Sequence, residues 1–321
     1  MNKSGTDEET VADVGEFGLI GRVTAGRVQP PSTLLGPGDD AAVVAAADGR
    51  VVASTDVLSE GVHFRLDWST PEQVGRKAVA VNVADLAAMG AVPTGLLVGF
   101  ACPASAPAEL VQGMAAGMWQ EATAVGCGIV GGDVVTAATI VVSVTALGDL
   151  QGRAPVTRGG AMPGDVVAVC GRLGWAAAGL AVLGRGFRSP VTVVGAARVP
   201  EPPYAAGPQA ALAGATAMID VSDGLLADLG HVAGASSVAV DVRTDLVEVH
   251  QRLVEVASAL GADARHWVLS GGEDHALAAT FPEPAAVPAG WVTIGTVSRG
   301  DGRVTVDGEE YAGAPGWQHW R

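Results

Sequence analysis

The sequence predicts a chain of two domains in which helices and strands are mixed, and three observations carry that prediction. Its 321 residues are enough for two cores of useful size. Hydrophobic residues make up 49% of the chain and charged residues only 17%, which argues against disorder and leaves apolar side chains to fill both cores. Strand-like and helix-like runs succeed one another throughout, with a Gly-, Pro- and Arg-rich interruption from Gln151 to Asp165. We therefore expect one domain over residues 1–150 and a second over 151–321.

Residues 1–13 read as a solvated tail, and Gly15–Ile20 begins a short helix with an apolar stripe. The segment Leu35–Asp56, LGPGDDAAVVAAADGRVVASTD, follows. Pro37-Gly38 predicts a turn ending in Asp39 and Asp40, and the runs Ala41–Val44 and Val51–Ser54 read as a hairpin closed by Asp48-Gly49. Its open end would gather Asp39, Asp40, Ser54, Thr55 and Asp56, hard oxygen donors of the kind Mg²⁺ takes beside phosphate. The plainer reading is that the paired aspartates only cap a turn.

Leu58–Phe64 reads as a Gly-containing loop carrying His63. Thr70, Pro71 and Gln73 then form a strong helix start, with Thr70 as N-cap and Gln73 completing a capping box. This helix should run to about Met89 and stop at Gly90. Its one charge between Ala78 and Val92 is Asp85, on the face of Ala78, Val81, Asn82 and Met89. A carboxylate on a core-facing stripe near a helix C-terminus, with no Lys or Arg one turn away, favours a metal ligand over a stabilising charge.

Leu96–Phe100 reads as a strand, Pro107–Ala124 as a small-residue helix, and Thr139–Leu147 as a β-branched strand. Between them Gly128–Asp133 reads as a strand ending in Gly131-Gly132-Asp133, where backbone N–H groups can approach a phosphate and the Asp can take a cation. In the second half, Asp165–Cys170 reads as a strand, Trp175–Leu183 as a helix, and Val199–Pro208 as a loop before the next helix. Ala217–Val221 reads as a strand breaking into a helix capped by Ser222, an anion site flanked by Asp220 and Asp223. Val268–His275 repeats that design of strand, Gly-Gly turn and carboxylates.

The net charge of −15 speaks against nucleic acid, which needs a basic footprint, but not against phosphorylated small ligands bridged by divalent cations. Cys102, Cys127 and Cys170 are widely spaced, form no C-x-x-C pair and fit buried thiols in a reducing compartment. The acidic N-terminus lacks the apolar core of a signal peptide, and no apolar run is long enough to span a bilayer. These features read as soluble and cytoplasmic. No G-x-x-x-x-G-K-[ST] loop, protein-kinase motif set, G-x-S-x-G turn or H-E-x-x-H helix is present.

What remains is a series of carboxylates. Two of them about 5 Å apart repel by roughly 3 kcal/mol at an effective dielectric near 20. If several converge, divalent cations must sit among them, and carboxylate-bound Mg²⁺ with open positions points to phosphoryl transfer.

The stretches GEFGLI, GPGDDAAVV, STDVLSEGVHF, KAVAVNVADLAAMGA, GGD, GDVVAVCGRLG, IDVSDGLLADLGH and LSGGEDHAL resemble, in order, the motifs of the thiamine-monophosphate kinase family. The resemblance spans nearly the whole chain. Its wider superfamily includes aminoimidazole ribonucleotide synthetase, selenophosphate synthetase and a hydrogenase maturation protein. It implies an α+β fold of two domains: an N-terminal α/β sandwich that dimerises through its sheet and binds ATP and Mg²⁺, and a C-terminal α/β domain completing the site.

By that resemblance Asp40, Ser54, Thr55, Asp56, Asp85, Asp133, Asp220 and Asp223 match metal-binding positions. Gly132, Asp133, Arg158 and Ser222 match ATP-contacting positions, and His63, Glu273 and Trp317 match contacts to thiamine monophosphate. The implied partners are ATP, several Mg²⁺ ions, thiamine monophosphate and a second copy of the chain. The implied reaction is direct in-line transfer from ATP to thiamine monophosphate, giving thiamine diphosphate. The alternatives are another ATP-dependent synthetase of the superfamily, or a nucleotide-binding maturation protein without this activity. Two departures stand out. His275 replaces the family's usual Tyr after GGED, and Val199–Tyr204 replaces its Arg-Pro segment.

Overall fold

The computed structural model describes residues 9–37 and 41–317. Two compact units emerge. The first holds the described residues up to Ala47, Ala53–Asn82 and Pro93–Gly148. The second holds Asp48–Val52, Val83–Val92 and the chain from Asp149 onward.

The chain begins with α1 (Val11–Val14) and α2 (Glu16–Thr24). The first lies within the stretch expected to be a tail: Thr10 and Asp13 form a reciprocal capping box that starts it. Next come β1 (Thr33–Leu35), β2 (Val43–Val44) and β3 (Val52–Ser59). The expected hairpin does not form. Short β2 pairs antiparallel with β1, while β3 joins a different sheet. The Asp48-Gly49 turn is taken up elsewhere, with Asp48 accepting from Arg50 and from the Gly152 amide.

Then follow α3 (Pro71–Ala88), β4 (Val92–Cys102), α4 (Ala108–Ala124), β5 (Ile129–Thr136) and β6 (Val141–Asp149). The α3 start is as its sequence dictates. The Thr70 amide donates to Gln73 Oε1 at 3.0 Å and the Gln73 amide to Thr70 Oγ1 at 3.3 Å. The order of the four-stranded sheet is β3-β6-β4-β5, with β4 and β5 parallel. Along β6 the side chains alternate: Val142, Val144 and Ala146 are buried, and Ser143, Thr145 and Leu147 are partly exposed.

Helices α3 and α4 pack through glycine. A Cβ on Gly75 would collide with the Met114 carbonyl, and one on Gly117 with the Glu72 carbonyl. Because the obstacle is backbone, Gly75→Ala must spread the pair, and we expect a loss of about 2–3 kcal/mol in chemical denaturation. Wild-type stability in that variant would contradict this packing.

The second unit contains β7 (Val166–Cys170), α5 (Trp175–Gly184), α6 (Val191–Arg198), α7 (Ala206–Leu212), β8 (Ala217–Val221), α8 (Leu225–Ser236) and β9 (Val238–Val242). It continues with α9 (Gln251–Leu260), α10 (Ala264–Ser270), β10 (Ala276–Phe281), β11 (Val292–Arg299), β12 (Val304–Val306) and β13 (Glu309–Glu310). These strands build one sheet in the order β13-β12-β9-β11-β7-β10-β8. Its pairings are antiparallel except for β12 with β9.

Both faces of this sheet are covered near its β8 edge. Val167, Ile219, Val221 and Ala278 pack with Leu225 and Leu229 of α8, whereas Ala168, Met218, Leu277 and Phe281 pack with Ala206 and Ala210 of α7. Burial on both sides explains why β7, β8 and β10 read as continuous apolar runs without alternation. Helix α6 had no anticipated counterpart, and Val268–Ser270, expected as a strand, ends helix α10. The mixed α/β architecture of the two units matches the fold class expected from the sequence.

Candidate active site

In the first unit the proposed ligands Ser54, Thr55, Asp56 and Asp133 lie inside strands. Ser54, Thr55 and Asp56 are consecutive in β3, so alternation sends Thr55 to the face opposite Ser54 and Asp56. The Thr55 hydroxyl donates to the Val144 carbonyl at 3.0 Å and accepts from Thr145 Oγ1 at 3.1 Å. The Asp56 amide donates to Asn82 Oδ1 at 2.8 Å, and Asn82 Nδ2 donates to the Ala78 carbonyl at 2.9 Å. Fully buried Asn82 thereby ties β3 to α3 without using the Asp56 carboxylate. Asp85, half-buried, stands one helical turn beyond Asn82 on α3.

Gly131, Gly132 and Asp133 lie within β5, which continues to Thr136, so the expected Gly-Gly turn is a strand interior. A Cβ on Gly132 would collide with the carbonyl of Val98, its partner in the neighbouring strand. Asp133 is exposed and its Oδ1 accepts the Val134 amide at 2.9 Å. Since β3 and β5 are opposite edges of the sheet, Asp56 and Asp133 of one copy are three strand intervals apart, about 14 Å. Asp39 and Asp40 lie outside the described residues.

His63 follows β3 in a tight turn. Its Nδ1 accepts the Ser59 amide at 3.0 Å, which leaves Nε2 to carry the proton of the neutral ring. Its carbonyl accepts Lys77 Nζ at 2.9 Å, and Lys77 is buried in α3. The ring is thus fixed as an Nε2–H donor suited to a phosphate oxygen.

The second unit gathers Asp220, Ser222, Asp223, Glu273 and Trp317 around the turn from β8 to α8, while Arg158 lies by the C-terminal end of α8. Asp220, 3% exposed, receives a hydrogen bond from His275 Nδ1 at 3.0 Å through Oδ2. Ser222 and Asp223 follow, but Ser222 is not the N-cap. Gly224, at φ +132°, holds that position, and a Cβ there would press on Ser270 main chain. The amides of Asp223 and Gly224 instead donate to Asp228 Oδ2, each at 3.0 Å. Burial foremost, then the charge of Asp220, pushes Asp228 up to about 7; the Gly224 and Asp223 amides oppose this and the Asp223 charge adds to it.

The turn before β10 closes onto the same place. The Glu273 amide donates to the Ser222 carbonyl at 2.7 Å, the His275 amide to the Val221 carbonyl at 2.9 Å, and the Trp317 amide to the Asp223 carbonyl at 2.9 Å. Glu273 is half-buried and Trp317 is 63% exposed. Asp220, Ser222, Asp223, Glu273 and Trp317 therefore share one neighbourhood. Arg158 is exposed on a single 3₁₀ turn, Arg158–Gly160, whose first carbonyl accepts Ser236 Oγ at 2.9 Å.

Sequence reasoning missed Asp228 and Asp274, whose partners are amides at the start of a helix, and the tie made by Asn82. Asp228 was open to detection as an acidic residue in the first turn of a helix lacking a side-chain N-cap. Among the described residues, no three His, Cys, Asp or Glu side chains stand close enough to form a ready-made metal cage.

The two mixed α/β units and the acidic turn from β8 to α8 agree with the family that similarity to known proteins gives. Residues 38–150 match the family model described as AIR synthase related protein, N-terminal domain. The chain belongs to the thiamine-monophosphate kinase family: it is 55% identical to the thiamine-monophosphate kinase of Mycobacterium tuberculosis over 98% of its own length and 94% of that relative's. Among solved structures it resembles the thiamine-monophosphate kinase of Stenotrophomonas maltophilia K279a, with TM-score 0.78, 31% identity and coverage of 91% and 95% of the two chains. It also resembles AaThiL complexed with AMPPCP and TMP, with TM-score 0.80, 30% identity and coverage of 96% and 98%.

Proposed function

We propose that this chain transfers the γ-phosphoryl group of ATP to thiamine monophosphate, giving thiamine diphosphate and ADP by direct in-line attack of the substrate phosphate. The observation that carries the reading is the assembly of Asp220, Ser222, Asp223, Glu273 and Trp317 around one strand-to-helix turn. Near-full-length similarity to a solved kinase complexed with AMPPCP and TMP supports it. The acceptor phosphate is largely ionised near neutral pH and needs little base catalysis.

Each residue has a task suited to its chemistry. His63 Nε2–H donates to the acceptor phosphate. Glu273 and the exposed Trp317 face suit the cationic thiazolium. Ser222 and Arg158 hold phosphate oxygens of ATP, and Gly132 and Asp133 are assigned to the same ligand.

The carboxylates fit a divalent cation in chemistry. They are hard oxygen donors, and Asp220 and Asp223 already repel the ionisation of Asp228. Asp40, Ser54, Asp56, Asp85, Asp133, Asp220 and Asp223 would hold Mg²⁺, which when bound neutralises phosphate charge; Thr55, whose hydroxyl is turned to the other face of β3 and bonded to Val144 and Thr145, drops out of the set. In this reading residues 1–150 carry ATP and Mg²⁺ binding and dimerisation, and 151–321 complete the site. Three free thiols suit a cytoplasmic setting. Among the described residues, no helix is long and apolar enough to cross a membrane.

Dimerisation would use the open face of the four-stranded sheet, where Val57, Leu97 and Val135 are 50%, 38% and 52% exposed. Leu97→Glu should convert a dimer to a monomer in light scattering; an unchanged mass would refute that surface. For the reaction, purified protein with ATP, Mg²⁺ and thiamine monophosphate should form thiamine diphosphate and ADP in equal amounts. ATP binding without turnover would support a maturation-type protein instead, and turnover with only a ribonucleotide a synthetase.

A further inference from the structure

Glu273 and His275 are non-glycine residues with left-handed backbones, at φ +70° and +52°, and Asp274 lies between them. Such a conformation brings the Cβ of an L-residue too close to its own main chain and is disfavoured. Two of them within three residues persist only where the surroundings impose them. Glu273 and His275 are each tied through their amides to the end of β8. Gly272 fits because it has no Cβ, which would come within 2.5 Å of the Ser222 carbonyl oxygen.

The middle of the turn is held differently. The Asp274 side chain, 6% exposed, accepts the Gly174 amide at 2.5 Å and the Ala176 amide at 2.8 Å. These amides open α5, whose own N-cap is Gly174 and which has no side-chain cap from it. Asp274 caps that helix from a hundred residues away in sequence. Once ionised, its carboxylate also lies where the helix dipole favours an anion. Position 174 cannot supply that cap itself, because Gly174 is left-handed at φ +80° and a Cβ there would press on the main chain of Trp267 and Val268. Supplying it from residue 274 fixes the Glu273 turn as well.

We propose that Asp274 is a positioning residue for substrate recognition: by capping α5 it holds Glu273 in the left-handed conformation from which Glu273 meets the cationic ring of thiamine monophosphate. This rests on the substrate role proposed above for Glu273. Asp274 itself touches neither substrate nor metal. It acts through the backbone of its neighbour.

The test compares kcat and both KM values in wild type, Asp274→Asn, Glu273→Gln and the double variant, with melting temperature as a folding control. Asp274→Asn should raise KM for thiamine monophosphate at least tenfold while KM for ATP stays within twofold. In the Glu273→Gln background the same substitution should raise it less than twofold, because the group it positions is gone. Equal effects on both substrates, or the same effect with and without Glu273, would show an ordinary structural cap and overturn the proposal. An unchanged KM for thiamine monophosphate in Glu273→Gln alone would instead overturn the substrate role of Glu273 and the proposal with it. If Asp274→Asn is not recovered folded, Asp274→Ser, which retains a capping oxygen, is read by the same criteria.

Discussion

Asp56→Asn is expected to fold normally and to lose about three orders of magnitude in turnover. The local structure separates the two effects. The strand-to-helix tie at this position runs from the Asp56 amide to Asn82 Oδ1, so an isosteric amide side chain leaves it intact. What disappears is one negative charge from the set assigned to Mg²⁺. Losing about 4 kcal/mol of transition-state charge stabilisation corresponds to roughly a thousandfold in rate. Asp85→Asn should behave alike, since that carboxylate is assigned to the same set of Mg²⁺ ligands. The measurements are kcat and the Mg²⁺ concentration for half-maximal rate, with circular dichroism as the control. Wild-type turnover at ordinary Mg²⁺ in either variant would end the metal assignment.

The contribution of Asp274 to stability should fall as pH rises from about 4 to about 7, by up to one proton's worth of pH dependence. Burial, the largest cause, pushes its carboxyl up to about 7 from an ordinary 3.8; the Ala176 and Gly174 amides and the charges of His275 and Arg172 oppose the rise. Between those values the folded protein keeps a proton that the unfolded chain has released. Stability therefore declines with pH, at most by about 1.4 kcal/mol per unit for one proton. The contribution is fully present below pH 4 and lost once pH passes the folded value. Denaturant titrations of metal-free wild type and Asp274→Asn from pH 4 to 8 should diverge in slope over this window. Parallel curves would mean that Asp274 is ionised throughout.

Much of this protein was legible because its signals are local. The Thr70-Pro71-Gln73 box needs only residues three apart, and it starts α3 where expected. The strands from Leu96, Thr139, Asp165 and Ala217 announced themselves by apolar and β-branched runs that any buried strand requires. The candidate site was legible in part. Asp220, Ser222, Asp223, Glu273 and Trp317 do meet, although Ser222 does not cap α8 and the residues before Gly271 form a helix.

The sequence by itself determined the family, the helix starts and the residue types that suit phosphate and a cationic ring. Only the tertiary structure decided that β2 pairs with β1, that Gly132 makes room for the Val98 carbonyl, and that Asp274 reaches back to cap α5. The reason is physical. A cap or a strand run is written in neighbouring residues, whereas a pairing partner or a distant helix end is chosen by burial and by amides that need acceptors, wherever in the chain those acceptors lie.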